Sequence, residues 1–154
     1  MVVDVNDTTG SSAGTSKKLD TKFLIQTDKI SLSNAEVQAL NSTPKTLVGA
    51  LSGYMITVYS VNVLCTYASS TETSSNDLYL SYDSSSTTVY WKYMRDFMNN
   101  KTTDLTFCFA ADTAAGGTCT TSILNKPFLM YSNNAFNGGW TVDVYVTYAY
   151  TKIL

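Results

Sequence analysis

The sequence predicts an all-β protein: an antiparallel β-sandwich, jelly-roll-like, with one or two short helical turns and an extended N-terminal arm. Three observations carry that prediction. From Trp140 to Tyr150 the even positions (Trp140, Val142, Val144, Val146, Tyr148 and Tyr150) are apolar or aromatic, while the odd positions are mostly polar or small. This two-residue period belongs to a long strand with one buried face and one wetter face. Charged residues make up only 14% of the chain, against roughly 25% in an average soluble domain. Ser, Thr, Asn and 11 Tyr fill the deficit, and Thr and Tyr favour strands. Finally, short apolar runs recur between turn-forming clusters, giving roughly seven strand candidates, the pattern of a sandwich or jelly roll.

Taken in order, residues 1–20 differ from all that follow. Val2, Val3 and Val5 are apolar, but Gly10–Lys18 carries too little apolar surface to order itself, so 1–20 reads as an arm and 21–154 as the sandwich domain. Lys22–Thr27 reads as the first strand. Ser31–Asn41 reads as a short helix: Ser33-Asn34-Ala35-Glu36 has the Ser-x-x-Glu capping box, and Pro44 prevents continuation. Lys45–Ala50 is a second short strand, closed by Gly53.

Tyr54–Tyr67 is the longest strand candidate. Met55, Thr57, Tyr59, Val61, Val63 and Cys65 share one face; the other begins apolar at Ile56 and Val58 and becomes polar. Such a strand is expected to be buried on both faces at one end, under a loop or a neighbouring subunit. Ala68–Asn76 is a loop, Asp77–Tyr82 a strand and Asp83–Thr87 a turn. Thr88–Asn99 is compatible with helix or strand. Tyr90, Tyr93, Met94, Phe97 and Met98 share one helical face, which favours a short helix. Asp104–Ala110 is a strand, Asp112–Ser122 a loop with Gly116-Gly117, and Pro127–Tyr131 a strand before the last one.

A length of 154 residues suits one domain with a sizeable core. The net charge of −2 gives no footprint for nucleic acid. No run approaches membrane-spanning length and no signal peptide is evident, so neither a membrane nor a secretory route is expected. Cys65, Cys108 and Cys119 are an odd count without paired spacing, which is not a disulfide framework. Cys65 and Cys108 read as small buried hydrophobes, with a Cys108–Cys119 bridge open as an alternative.

No catalytic constellation appears. The chain has no His, which removes His-based triads and the usual zinc sites. The nearest carboxylate pairs, Asp4 with Asp7, Asp77 with Asp83 and Asp96 with Asp104, fall at turns and strand starts, where local backbone hydrogen bonding accounts for them. Gly116-Gly117 and Gly138-Gly139 lack the helix and Lys of a phosphate cradle. The expectation is a non-enzyme without cofactor or metal. Trp91, Trp140, Tyr145 and Tyr148 remain as candidates for core or subunit interface, with sugar stacking as the alternative. Tyr145 stands out as an aromatic on the polar face of its strand.

Several segments, in order, resemble a β-sandwich family of tailed-bacteriophage capsid decoration (cement) and head-fibre proteins. Ser31–Val48 is similar to the family's entry segment. Gly53 with Tyr54–Tyr67 and the short run Asp77–Tyr82 follow. Asn125-Lys126-Pro127-Phe128-Leu129 and Gly138–Tyr148 resemble its ending, so the likeness spans about residues 30–150. It departs at Gly49-Ala50-Leu51-Ser52, where relatives often carry Gly- and Pro-rich text.

The resemblance implies a virion structural protein, assembled in the host cytoplasm and carried on the outer surface of the capsid. Its partners would be the major capsid protein and copies of itself, as a homo-trimer. Val2, Val3 and Val5 would be capsid-tether anchors. The alternative is a head- or tail-fibre domain that binds host surface glycans.

Overall fold

The computed structural model describes residues 24–82, 90–111 and 123–152. The arm with Val2, Val3 and Val5, the Asp83–Thr87 turn, and the 112–122 loop with Cys119 lie outside the described residues. Among the described residues, eight strands and one helix follow in chain order: β1 (Gln26–Leu32), α1 (Asn34–Gln38), β2 (Lys45–Val48), β3 (Tyr54–Tyr67), β4 (Leu78–Ser81), β5 (Tyr90–Met94), β6 (Leu105–Ala110), β7 (Phe128–Ser132) and β8 (Trp140–Lys152).

The strands form two four-stranded sheets, ordered β1-β8-β3-β6 and β2-β7-β4-β5, with every pairing antiparallel. First pairs with last, second with seventh, third with sixth and fourth with fifth. A long hairpin rolled onto itself gives that order, which is the eight-stranded jelly roll. The fold class expected from the sequence is therefore the one observed.

The core lies between the sheets. From the first sheet come Trp140, Val142, Val144 and Val146 of β8 with Val61 and Val63 of β3; from the second come Leu78, Leu80, Phe128 and Met130, all buried. The even positions of β8 point inward, as its alternation demands.

In β3 the alternation changes phase. Ile56 and Val58 are buried, then Val61, Val63 and Cys65. The register against β8 slips between Val58 and Ser60, leaving Tyr59 as the extra residue of a bulge, 41% exposed. A bulge puts two residues opposite one and re-aims those beyond it. The expected burial of both faces is thus corrected: one continuous inner face passes from even to odd positions at Tyr59.

Other boundaries move for tertiary reasons. Of the expected first strand Lys22–Thr27, Lys22 and Phe23 lie outside the described residues and Leu24 and Ile25 are not in the strand, which runs from Gln26 on to Leu32 because Ile30 and Leu32 pair with Val144 and Val142. α1 is correspondingly shorter than expected. Ser33 caps it with the reciprocal box: its hydroxyl accepts the Glu36 amide at 3.4 Å, and the Glu36 carboxylate accepts the Ser33 amide at 2.9 Å. The helix favoured over 88–99 is a strand, β5, followed by turns. Tyr93 and Leu78 through Leu80 make a better β ladder than an isolated helix would, and Asp96 (φ 50°) and Met98 (φ 60°) are left-handed, which ends regular structure. Phe97 and Met98 still reach the core from the turn.

Candidate interaction surface

At one end of the roll, three loops and α1 converge on the start of β8, and a buried carboxylate holds them. Glu72 is fully buried. It accepts the backbone amides of Ser74 at 2.9 Å, Asn137 at 2.7 Å and Gly138 at 2.8 Å, and the Ser74 hydroxyl as well. Its own carbonyl accepts the Asn100 amide at 2.8 Å. Burying a carboxylate is costly unless its lone pairs are satisfied, and here backbone donors from two loops satisfy them. α1 adds two ties to the same strand start. Asn34 Oδ1 accepts the Trp140 amide at 2.8 Å, and Gln38 Nε2 donates to the Gly138 carbonyl at 3.1 Å.

Gly138 and Gly139 are required there by close approach. A Cβ on Gly138 would lie 2.8 Å from the Glu72 backbone nitrogen, and one on Gly139 would lie 2.9 Å from that of Ser70. Nothing in the sequence marks Glu72 beyond its being the one carboxylate in a Ser/Thr-rich loop.

The aromatic candidates separate. Trp140 is completely buried and packs edge-on against Tyr67 at 5.3 Å, so its ring is core. Tyr148, 5% exposed, also faces inward; its hydroxyl donates to Asp28 Oδ2 at 2.8 Å. Both stand at even positions of β8, the inner set. Trp91 is half-buried, with its edge against Phe128 at 5.9 Å. No exposed Trp platform for a sugar is formed by these residues.

Tyr145 is the candidate that faces outward. It lies in register with Lys29 of β1 and Asn62 of β3, half-buried, with the Lys29 ammonium 5.7 Å above its ring. That cation accounts for part of its cover. Lys29 also pairs with Asp143 at 2.9 Å, and the Ser31 hydroxyl donates to Asp143 at 2.5 Å. The Ser31 bond and then the ion pair hold the Asp143 carboxyl below the usual carboxylate range, and the bond to Asp143 raises the Lys29 ammonium. The outer face of this sheet is therefore flat, hydroxylated and nearly neutral, with Leu64 36% exposed.

On the outer face of the other sheet, Tyr93, Tyr79 and Tyr131 form a cross-strand stack. Their centroids are 5.8 and 4.9 Å apart with interplanar angles of 20° and 13°. Tyr79, on the central strand β4, has a neighbouring ring on each face. This stack was not read from the sequence, since Tyr79, Tyr93 and Tyr131 come together only through strand order.

Of the acidic side chains read as turn residues, Asp77 and Asp104 bond backbone, while Asp4, Asp7 and Asp83 lie outside the described residues. Asp77 Oδ1 accepts the Asp96 amide at 3.1 Å, and Asp104 Oδ1 the Tyr67 amide at 2.9 Å. Among the described residues no three His, Cys, Asp or Glu side chains cluster to hold a metal. Cys65 is buried, and burial pushes its thiol up to about 12. Cys108 is a free thiol and is exposed, correcting its expected burial: it sits on the outer face of β6, opposite Asn62.

Compared with known proteins, the chain matches no family model and no curated protein sequence. Among solved structures it is similar to a crystal structure of Israel acute paralysis virus, at 11% identity and a TM-score of 0.30, over 94% of this chain and 80% of that chain. A likeness that slight carries no argument.

Proposed function

We propose that this chain is a virion structural protein, a capsid decoration (cement) protein that binds the major capsid protein and stabilises the head shell. Two things support the reading: the ordered resemblance of residues 30–150 to the decoration family, and the filled roll. The filled roll carries more weight. Within the described residues Val61, Val63, Phe128, Trp140, Val144 and Val146 fill the space between the sheets, which leaves the outside of the roll for a partner. What the molecule offers to others is its outside: two sheet faces, four strand edges and the segment before Leu24. Leu24 and Ile25, the first of the described residues, are 46% and 64% exposed.

On the outer surface of the capsid, each copy would bridge neighbouring shell subunits, with Tyr145 at a contact and copies grouped as a homo-trimer. Val2, Val3 and Val5 belong to the segment available to link one copy to the next protein on the lattice. Repetition over a lattice makes modest individual contacts effective. Neither nucleic acid nor membrane is needed as a partner, and assembly takes place in the host cytoplasm. The glycan-binding alternative would use an exposed Trp91 or Trp140; Trp140 is buried and Trp91 half-buried.

The test is sedimentation of purified chain with shells that lack it. Saturable binding, with shells that withstand higher temperature, is expected. Absence of binding at a large molar excess would overturn the proposal.

A further inference from the structure

Four strands form the sheet edges, β1 and β6 in one sheet and β2 and β5 in the other. A free edge presents unpaired N–H and C=O groups, and proteins blunt it with charge, Pro, bulges or shortness. Three edges here are blunted. β1 carries Lys29 and turns Asp28 inward opposite Val146. β2 has four residues, follows Pro44, starts at Lys45 and is bulged. β5 carries Lys92 and a bulge against β4. β6 has none of these: Leu105-Thr106-Phe107-Cys108-Phe109-Ala110 holds no charge and no Pro, and pairs with β3 without a shift.

β6 is also under-covered. Its inward residues Leu105, Phe107 and Phe109 are half-buried, while their β3 partners Cys65, Val63 and Val61 are fully buried. The Ala111 amide donates to the Tyr59 carbonyl at 2.8 Å. Alternation along an antiparallel strand then aims the amides of Thr106, Cys108 and Ala110 away from β3, toward the open edge. An open cavity of about 370 Å³ adjoins the far end of β6, lined by Lys92, Cys108, Phe109, Ala110 and Ala111. Among the described residues no further strand pairs with this edge, which thus offers apolar cover to be gained and backbone N–H and C=O groups, with Lys92 beside its end.

We propose that the β6 edge is a strand-docking site and that, in the chain away from a shell, its occupant is the Val2–Asp7 segment of this chain. The odd positions of that segment read Met1, Val3, Val5, Asp7: apolar, then acidic. Laid parallel to β6, Val3 and Val5 cover Phe107 and Phe109, and Asp7 arrives at the Lys92 end. Residues 8–23 span up to ~50 Å when extended, against ~14 Å across the three strand spacings from β1 to β6, so reach is ample. Main-chain pairing supplies affinity, and the alternate side chains supply register.

The test needs only the purified full chain, and so stands apart from the shell reading. Hydrogen exchange is measured by mass spectrometry on fragments covering Leu105–Ala111, for the intact chain and for V3D/V5D. The double substitution falls outside the described residues and is expected to leave exchange in β3 and β8 unchanged. Exchange at the β6 edge is expected to be roughly tenfold faster in V3D/V5D. Asp7→Lys alone should weaken protection, and Asp7→Lys with Lys92→Glu should restore it. Equal exchange in the intact chain and V3D/V5D would overturn the proposal. So would protection that arises only when a shell protein is added, since the occupant would then be a partner.

Discussion

Glu72 and Gly138 are each other's reason for being where they are. The Glu72 carboxylate accepts the Gly138 amide at 2.8 Å, and a Cβ on Gly138 would stand 2.8 Å from the Glu72 backbone nitrogen. The carboxylate can be buried only because the backbone comes this close, and the backbone can come this close only without a side chain. Through this contact the 68–76 loop fixes where β8, the central strand of its sheet, begins.

Glu72→Ala should therefore be among the more damaging single changes, costing about 2–3 kcal/mol, since it leaves the buried Gly138 amide and the part-buried Ser74 and Asn137 amides without their acceptor. Glu72→Gln keeps the shape and one acceptor oxygen, and should cost less. Urea unfolding followed by fluorescence measures both; equal stability of Glu72→Ala and the parent would refute the assigned role.

Glycine substitutions separate close approach from mere turn preference. Gly138→Ala must displace either the 72 backbone or the Trp140 ring, and overpacking of that kind costs about 1–3 kcal/mol. Gly49→Ala meets nothing within 4 Å and should fall within about 0.5 kcal/mol of the parent. Thermal melts of the two variants side by side check the contrast.

The bulge at Tyr59 makes a parity prediction. Ile56→Ala and Val63→Ala, at positions of opposite parity, should both cost about 2–4 kcal/mol because both face the core. Met55→Ala and Leu64→Ala, also of opposite parity, should cost under about 1 kcal/mol. A strand without the bulge would instead pair Val63 with Met55, and Ile56 with Leu64.

Most of this fold was legible in the sequence because its strands are long or strictly alternating. β3 was read to the residue, Tyr54–Tyr67, and the period of β8 gave the inner face directly. The capping box located α1. What failed did so where tertiary pairing outranks local pattern. Helical spacing from Tyr90 to Met98 is produced by a short strand plus a turn whose Phe97 and Met98 swing back into the core. The mixed faces of β3 are the signature of a bulge, and only the register with β8 reveals it. Glu72 gave no signal, because a buried carboxylate held by backbone donors needs no partner side chain. The aromatic candidates fall on β8 and β5, and alternation along β8 assigns Trp140 and Tyr148 to the inside and Tyr145 to the outside.

Stability should fall at alkaline pH before any change of net fold charge at neutrality matters. Burial, and then the bond to Asp28, raises the Tyr148 hydroxyl above its ordinary 10.0, and burial raises the Cys65 thiol from 9.0 to about 12. The folded chain keeps protons that the unfolded chain releases, so this stability is complete below pH ~9 and is lost as pH rises beyond it. Tyr148→Phe should flatten part of that decline in urea midpoints taken at rising pH. On the acid side, Lys45 and the Ser33 cap lower the Glu36 carboxyl from 4.5 to about 2. That contribution is present above the unfolded value and fades as pH falls toward the folded one, but exposure keeps it small.

The measurement closest to the central claim is cryo-electron microscopy of the intact particle that carries this chain. The account predicts density for the roll at symmetry-related positions over the outer shell, in contact with the major capsid protein, with the β8 outer face around Tyr145 at or near a contact. Density confined to a protruding fibre or to the tail, with a bare shell, would contradict it.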